Sequence, residues 1–350
     1  MQRPIATWVL LGILAVVFAI ETMAGGSTET EVLVRMGAKV TPFIAAGEYW
    51  RLFTSMFLHI GLLHVMLNGY ALIVIGTELE RFLGWQRFLA IYLLSGLTGS
   101  LASYAFSPNL SAGASGAIFG IIGALAAFFL LHRKQLGSWG QSRLANIAFL
   151  IVINIVLGLT QPRIDNLAHM GGLVAGLGLG WALAPRYAID PVEFRLVDRN
   201  QFKRYWPTLA AAVVLLVAGT ALATGLQRNS PQSYLWRVEQ SVEQEDWAEV
   251  VSQVNQALAQ DPSLADVYLY FQLGLAHNYL GEPEQAAQAY ERALELETND
   301  SAVRWNLAIT YLELGRYTEA RSQFETYLEL NPEETAEVQP YLDQLRTIAP

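Results

Sequence analysis

Seven stretches of mainly apolar residues follow one another over the first 226 residues, and polar segments separate them. A helix needs about 20 mostly apolar residues to cross the hydrocarbon core of a bilayer. The pattern therefore predicts a bundle of membrane-spanning helices, in which the first stretch is a retained helix and not a cleaved signal peptide. The predicted spans are Thr7–Thr22, Leu62–Thr77, Phe88–Phe106, Ala114–Leu131, Ala145–Leu159, Leu167–Ala184 and Leu209–Leu226.

A different pattern follows the seventh stretch, where amphipathic segments repeat with a period of 34 residues. This is the period of the tetratricopeptide repeat, in which each unit is a pair of antiparallel helices. We expect two to three repeats, a polar capping helix over Thr335–Thr347, and a surface that binds a protein or peptide partner. A spacer or a dimerisation module is the alternative. The recurring positions are Gly281 and Gly315, Ala286 and Ala320, Tyr290 and Phe324, and Thr298 and Pro332, with a weaker copy at Val250, Val254, Ala257 and Pro262.

Net charge changes sign where the two patterns meet. Residues 1–226 hold 15 Lys and Arg against 10 Asp and Glu, whereas residues 227–350 hold 7 against 21. The chain contains no cysteine, which excludes thiol catalysis, disulfides and cysteine-ligated zinc. Its basic residues form no cluster suited to nucleic acid. The sequence thus predicts two regions built for different surroundings and joined near residue 226.

The basic residues of the connecting segments are distributed unequally between the two sides of the membrane. Segments on the side of the N-terminus hold 11 Lys and Arg, and those on the other side hold 4. Cytoplasmic loops carry an excess of basic residues, so the N-terminus is predicted to be cytoplasmic and everything after Gln227 extracytoplasmic. The 4 residues are Arg35, Lys39, Arg51 and Arg163, and the 11 are Arg3, Arg81, Arg87, Arg133, Lys134, Arg143, Arg186, Arg195, Arg199, Lys203 and Arg204.

Four polar side chains lie at the span ends that are predicted to face outward. His64 and Asn68 share one helix face near the start of the second span. Ser115 begins the fourth span and His169 begins the sixth. Ionisable residues in a membrane are costly and usually functional, and a serine beside a histidine suggests a nucleophile and general base without a third carboxylate. The other two side chains then offer donors for an oxyanion; in the alternative, the two histidines and the asparagine simply hold the helices together.

Glycines flank the serine and follow the histidine. Gly113 and Gly116 allow the backbone to turn sharply beside Ser115 and leave its hydroxyl uncovered. Gly172 and Gly176 lie on the helix face of the histidine, and small residues let helices approach closely in lipid. We therefore expect the fourth and sixth helices to touch, although a serine that only caps its helix is the alternative. No metal or other cofactor is expected, since the histidines lack carboxylate or thiol co-ligands at a usable spacing.

These residues, in this order over three spans, resemble the rhomboid intramembrane serine proteases. The resemblance covers roughly residues 46–184. It implies an all-α membrane bundle with a six-helix core over residues 1–206 and, as in some bacterial members, a seventh helix over 207–228. The 34-residue period and the loop charges add an α-solenoid of tetratricopeptide repeats over 229–350, outside the cytoplasm. The residues that carry it are Trp50-Arg51, His59, His64-x-x-x-Asn68, Glu80 with Gly84, Gly113-Ala114-Ser115-Gly116 and Ala168-His169-x-x-Gly172-x-x-x-Gly176.

The resemblance also implies roles for these residues. Ser115 is implied to be the nucleophile and His169 the base, with His64 and Asn68 in the oxyanion hole. The family often has tyrosine four residues after the serine, and Phe119 stands there in this chain, where its ring is still expected to pack on the histidine. The implied activity is hydrolysis of peptide bonds within or beside a transmembrane helix of a substrate, in a bacterial plasma membrane. Structural roles are implied for Trp50, Arg51, His59, Glu80, Gly113, Gly116, Gly172 and Gly176.

Two other classes of function are considered. A non-catalytic rhomboid-like protein binds or escorts membrane proteins, but such proteins usually lack the serine or histidine that this chain retains. A small transporter is disfavoured because the polar residues lie near one membrane surface and no inverted repeat is evident.

Overall fold

The computed structural model describes residues 3–161, 164–189 and 196–348, so Arg163 and Arg195 of the charge count lie outside the described residues. The chain divides into two compact units, Met1–Arg228 and Asn229–Pro350. Both units are built from helices, which confirms the predicted all-α class, and the described residues add one small sheet.

The first unit is a bundle of long helices with shorter helices in the segment that follows the first of them. A π-helical turn over Leu72–Gly76 continues the fifth helix into the sixth. Two short antiparallel strands, β1 (Tyr187–Ile189) and β2 (Leu196–Asp198), follow the tenth helix. The helices of this unit in the described part of the chain are α1 (Ile5–Met23), α2 (Thr30–Met36), α3 (Thr41–Ala45), α4 (Arg51–Thr54), α5 (Leu62–Ala71), α6 (Thr77–Leu83), α7 (Trp85–Phe106), α8 (Ser115–Leu131), α9 (Arg133–Thr160), α10 (Asn166–Leu183) and α11 (Phe202–Gln227).

Among the described residues, five helices are long and apolar enough to cross a membrane: α1, the continuous α5–α6, α7, α9 and α11. Helices α8 and α10 are shorter, with 17 and 18 residues. Two helices extend beyond the apolar stretches of their predicted spans, since α9 begins at Arg133 and α11 at Phe202. The backbone of α9 is non-helical at Gly137, which kinks its first part. A helix satisfies its own backbone hydrogen bonds, so it continues into the polar interface after the apolar side chains end.

Helix α8 forms the centre of the membrane unit. Every residue from Gly116 to Phe129 is buried, as expected for a helix that is apolar on all sides. A Cβ atom on Gly172 of α10 would lie 1.9 Å from the carbonyl oxygen of Gly116, and one on Gly176 would lie equally close to that of Gly120. Only glycine fits at these two positions of α10, and its backbone therefore packs directly on α8.

Glu80 ties α6 to the start of α1. Its side chain is fully buried, and its two carboxylate oxygens accept the backbone N–H groups of Ala6 and Thr7, each at 2.8 Å. The Thr7 hydroxyl donates to the same carboxylate at 2.7 Å. The first amides of a helix have no partner within the helix and favour a negative charge, so this carboxylate satisfies the end of α1 inside the bundle.

The segment between α1 and α5 is organised by Arg51. Its guanidinium donates to the carbonyl oxygens of Val34 at 2.6 Å and Ala38 at 3.3 Å, and it pairs with Glu48 at 2.7 Å. It also lies over the ring of Trp50, 4.7 Å from the centroid. One buried cation thus connects α2, α4 and the loops beside them. These helices are too short to be held in place by their own apolar contacts alone.

The second unit consists of antiparallel helix pairs, as the repeat predicts. Gly281 and Gly315 occupy the same turn in successive pairs, with φ of 73° and 70°, in the left-handed region that favours glycine. Gly274 packs on Tyr290, whose ring lies 2.5 Å from where a Cβ would stand. The helices are α12 (Pro231–Glu243), α13 (Trp247–Gln260), α14 (Val267–Tyr279), α15 (Pro283–Leu296), α16 (Ser301–Glu313), α17 (Tyr317–Leu330) and α18 (Thr335–Ile348), with 3-10 turns at Pro262–Leu264 and Pro332–Glu334.

Candidate active site

Ser115 and His169 meet where α8 and α10 begin. The Ser115 Oγ lies 2.8 Å from the His169 Nε2, within hydrogen-bond distance. Nε2 can accept the hydroxyl proton only when the ring proton is on Nδ1. Nδ1 is buried and has no hydrogen-bond partner among the residues that the structure describes. Ser115 is therefore hydrogen-bonded to a histidine whose ring has no carboxylate partner in the part of the chain that the structure describes.

Phe119 holds the imidazole from its face. The Phe119 ring stacks on that of His169 with centroids 4.2 Å apart and planes inclined by 9°. Phe119 lies four residues after Ser115, so both side chains project from the same face of α8. This stacking restrains the orientation of the His169 ring, as a hydrogen bond from Nδ1 to aspartate does in Ser-His-Asp triads.

Ser115 does not cap its helix. It is the first helical residue of α8, Ala114 is the N-cap, and no side chain bonds to the first amides of this helix. The interpretation of this serine as an N-cap is therefore wrong. The Ser115 hydroxyl thus bonds with His169 and not with the first amides of its own helix.

The loop before Ser115 is shaped by Gly113. Its φ is 144°, and its N–H donates to the carbonyl oxygen of Ser55 at 2.8 Å. A Cβ atom here would lie 2.8 Å from Cε1 and 2.9 Å from Nε2 of His64. Glycine is thus required both by the backbone conformation and by the imidazole that packs against it.

His64 and Asn68 present N–H donors to this loop. The Ile60 N–H donates to His64 Nδ1 at 3.3 Å, so the proton of the neutral ring is on Nε2, the nitrogen nearest Gly113. The Asn68 Nδ2 is buried and lacks a hydrogen-bond partner within the described ranges. An unused buried donor is costly unless a bound group accepts from it.

Glu21, which the sequence analysis did not select, stabilises the turn that leads to His64. Its fully buried carboxylate accepts the backbone N–H of His59 at 2.9 Å. The His59 ring packs edge-on against that of His64, with centroids 5.2 Å apart. Burial, followed by the neighbouring His64, lowers the pKa of His59 to about 3, so its ring is neutral. The one signal for Glu21 was an acidic residue near the end of an apolar span.

The remaining residues of the sequence motifs lie apart from the dyad. The contacts of Arg51 and Trp50 are within the segment between α1 and α5, and those of Glu80 are with α1. Gly84 ends α6 with a φ of 83° and starts α7. Among the described residues, no group of three or more His, Asp and Glu is arranged to hold a metal ion.

The chain is similar in sequence to known proteins over most of its length. Residues 46–186 match the family model of the Rhomboid domain, and residues 279–345 match that of the tetratricopeptide repeat. The chain is 37% identical over 314 residues to rhomboid protease GluP of Bacillus subtilis (strain 168), an alignment that covers 89% of this chain and 58% of GluP.

Two plant relatives extend this comparison. RHOMBOID-like protein 1 of Arabidopsis thaliana is 40% identical over 198 residues, covering 53% of this chain and 50% of the relative. RHOMBOID-like protein 6, mitochondrial, from the same plant is 36% identical over 217 residues, covering 58% and 67%. The chain therefore spans between about half and two thirds of the length of these relatives.

Proposed function

The chain belongs to the rhomboid family, and on this premise we propose that it is an intramembrane serine endopeptidase that cleaves membrane proteins with Ser115 and His169. The protein is an integral membrane protein with a C-terminal tetratricopeptide repeat. The observation that carries the proposal is the 2.8 Å separation of the Ser115 Oγ and the His169 Nε2, at a site with two more polar side chains beside it.

In the proposed mechanism, His169 Nε2 takes the hydroxyl proton while the Ser115 Oγ attacks the scissile carbonyl carbon. The imidazolium then gives this proton to the leaving amine, and water hydrolyses the acyl-enzyme by the reverse sequence. Substrates must expose backbone at the dyad, which favours helices weakened by glycine, proline or other small residues.

The oxyanion of the tetrahedral intermediate is stabilised by three N–H groups in this proposal. They are the backbone N–H of Ser115, the Nε2–H of His64 and the Nδ2–H of Asn68. The N–H groups at the start of α8 have no partner inside the helix, and the Asn68 amide nitrogen is buried without a partner among the described residues. Each such donor typically contributes ~10²–10³ in rate.

We also propose an orientation and a task for the C-terminal unit. The charge distribution of the loops supports a cytoplasmic N-terminus and an extracytoplasmic tetratricopeptide unit, in a bacterial plasma membrane. Repeats of this kind present a surface for a protein or peptide, so this unit is proposed to bind a substrate or another protein partner.

Covalent labelling tests the nucleophile. The purified full-length protein is treated with a fluorophosphonate, and the modified residue is identified by mass spectrometry. We expect the adduct on Ser115, no adduct in Ser115→Ala or His169→Ala, and normal labelling in Ser107→Ala, which changes a serine of the preceding loop. Folded wild-type protein that stays unlabelled would contradict the proposal and favour a non-catalytic binding protein, as would equal labelling of Ser115→Ala.

A further inference from the structure

Lys39 holds the loop that leads to Ser115. It lies between α2 and α3, and its side chain is fully buried. Its Nζ donates to the carbonyl oxygens of Ser107 at 2.8 Å and Asn109 at 2.6 Å. Its backbone also exchanges two hydrogen bonds with Ser111, at 2.9 and 3.1 Å. Four contacts from one residue therefore fix the path of the chain just before the serine.

Asp165 holds the helix end that carries His169. It is the N-cap of α10, where its Oδ1 accepts the N–H of Ala168 at 3.0 Å. Its backbone carbonyl oxygen accepts the N–H of His169 at 3.1 Å. Within the described part of the membrane unit, α10 is the one helix whose own N-cap residue bonds a first-turn N–H through its side chain. The geometry of its first turn thus depends on this aspartate.

Two serine hydroxyls bind the Asp165 carboxylate, and an ionic attraction links it to Lys39. Ser103 at the end of α7 hydrogen-bonds the Asp165 carboxylate, and the Ser111 hydroxyl also donates to it. Burial lowers the pKa of Lys39 to about 8, an effect that the Asp165 charge opposes. Burial also disfavours the Asp165 carboxylate, but the hydrogen bonds and the Lys39 charge outweigh it and lower its pKa. Both residues are therefore charged at neutral pH.

We propose that Lys39 and Asp165 act together as positioning residues that set the Ser115–His169 geometry and favour the imidazolium that forms during attack. This inference rests on the proposed dyad. Neither residue bonds to the His169 ring, because Nδ1 has no partner among the described residues. A carboxylate one helical turn before the histidine still stabilises a positive charge on the ring across a poorly screened protein interior. Displacements of about 1 Å cost on the order of 10²-fold in rate, so small shifts of either element are measurable.

Near-isosteric variants of the full-length enzyme test this pair. Asp165→Asn keeps the cap, since asparagine is an equally good N-cap, but it removes the charge and replaces the oxygen that accepts from Ser103 with an NH₂ group. Lys39→Met keeps the length of the side chain but removes both hydrogen bonds. The matched control is Asp198→Asn. Asp198 also pairs with a basic residue, Arg87 at 2.6 Å, but this pair lies at the start of α7 and after the end of α10, away from Ser115 and His169. Cleavage of a purified single-span reporter gives kcat and KM, and ¹⁵N shifts of the His169 ring report its environment independently of activity.

We expect kcat to fall about tenfold or more in Asp165→Asn and Lys39→Met, with KM changed less than about threefold. The kcat of the double variant should equal that of the less active single variant, because the two residues act as one unit. Asp198→Asn should lower the melting temperature and leave kcat within about twofold. The His169 ring shifts should move in the first two variants and stay in the control.

Three results would overturn the inference: kcat within twofold of wild type in both single variants, losses that multiply in the double variant, or unchanged His169 ring shifts. A wild-type enzyme that cleaves nothing would instead count against the proposed dyad, and the ring shifts would still decide whether Lys39 and Asp165 position His169.

Discussion

At the scale of single residues, the site depends on what each histidine nitrogen does. His64 accepts a backbone N–H at Nδ1, which commits its Nε2–H to the loop beside Ser115. His169 faces the serine with Nε2 and bonds nothing with Nδ1 among the described groups. In the proposed site, the Nε2 of His64 therefore donates a proton and the Nε2 of His169 accepts one. The neighbours of each ring set its tautomer.

Asn68→Ala tests the donor role at this scale. Removing an oxyanion donor should lower kcat ~10²–10³-fold and leave KM nearly unchanged, because the contact forms only in the transition state. Asn154→Ala is the matched control, since the Asn154 amide donates to the Leu150 carbonyl oxygen within α9. Steady-state kinetics on a single-span reporter measure both variants. An equal loss in the two would assign Asn68 to stability alone.

At the scale of elements, the contact between α8 and α10 brings the dyad together. The glycine positions of α10 are not equivalent: a Cβ on Gly172 would overlap the carbonyl oxygen of Gly116, whereas one on Gly178 would meet nothing within 4 Å. The close contact with α8 runs along the face of α10 that holds Gly172, and His169 lies on the same face, three residues earlier.

Gly172→Ala is expected to push α10 away from α8. Overpacking against a backbone atom costs about 1–3 kcal/mol, so the melting temperature should fall and labelling of Ser115 by a fluorophosphonate should slow at least tenfold. Gly178→Ala should change neither. Thermal unfolding and labelling rates check both variants. Unchanged labelling in Gly172→Ala would show that the close approach of α8 and α10 does not determine the Ser115–His169 geometry.

Long apolar stretches and a sequence repeat predicted most of the helices. The short helices that depend on single polar contacts could not be predicted in this way. Apolar stretches gave the spans, and the 34-residue period gave the helix pairs of the second unit. The short helices α2, α3 and α4 have no such signal, because Arg51 of α4 holds them through the Val34 carbonyl oxygen of α2 and the Phe43 ring of α3. Glu21, Lys39 and Asp165 were missed as site residues for the same reason. Their partners lie 38 or more residues away in the chain or are backbone atoms, which no local pattern encodes.

At the scale of the whole molecule, the two units have separate cores. The core around α8 involves residues up to Tyr205, and the cores of the repeat begin at Val238. Each unit therefore has the buried apolar surface that an independent domain requires. The repeat adds an acidic surface to a membrane unit of the opposite net charge.

Deletion of Asn229–Pro350 should leave the membrane unit folded and reactive. Labelling of Ser115 by a fluorophosphonate is expected to stay within about threefold of the full-length rate, because the dyad and its supports all lie before residue 228. Gly274→Leu offers a full-length control that disrupts the second unit, since the Tyr290 ring occupies the space of the new side chain. Loss of labelling in both would contradict the independence of the two units.

Cleavage of a single-span reporter protein in liposomes tests whether this chain is an intramembrane protease that uses Ser115 and His169. The measurement compares wild type with Ser115→Ala and His169→Ala at equal amounts of folded protein and locates the cut by mass spectrometry. We predict a cut within or beside the transmembrane segment by wild type and none by either variant. Cleavage by Ser115→Ala at the wild-type rate, or a folded wild type that leaves every reporter intact, would contradict the claim.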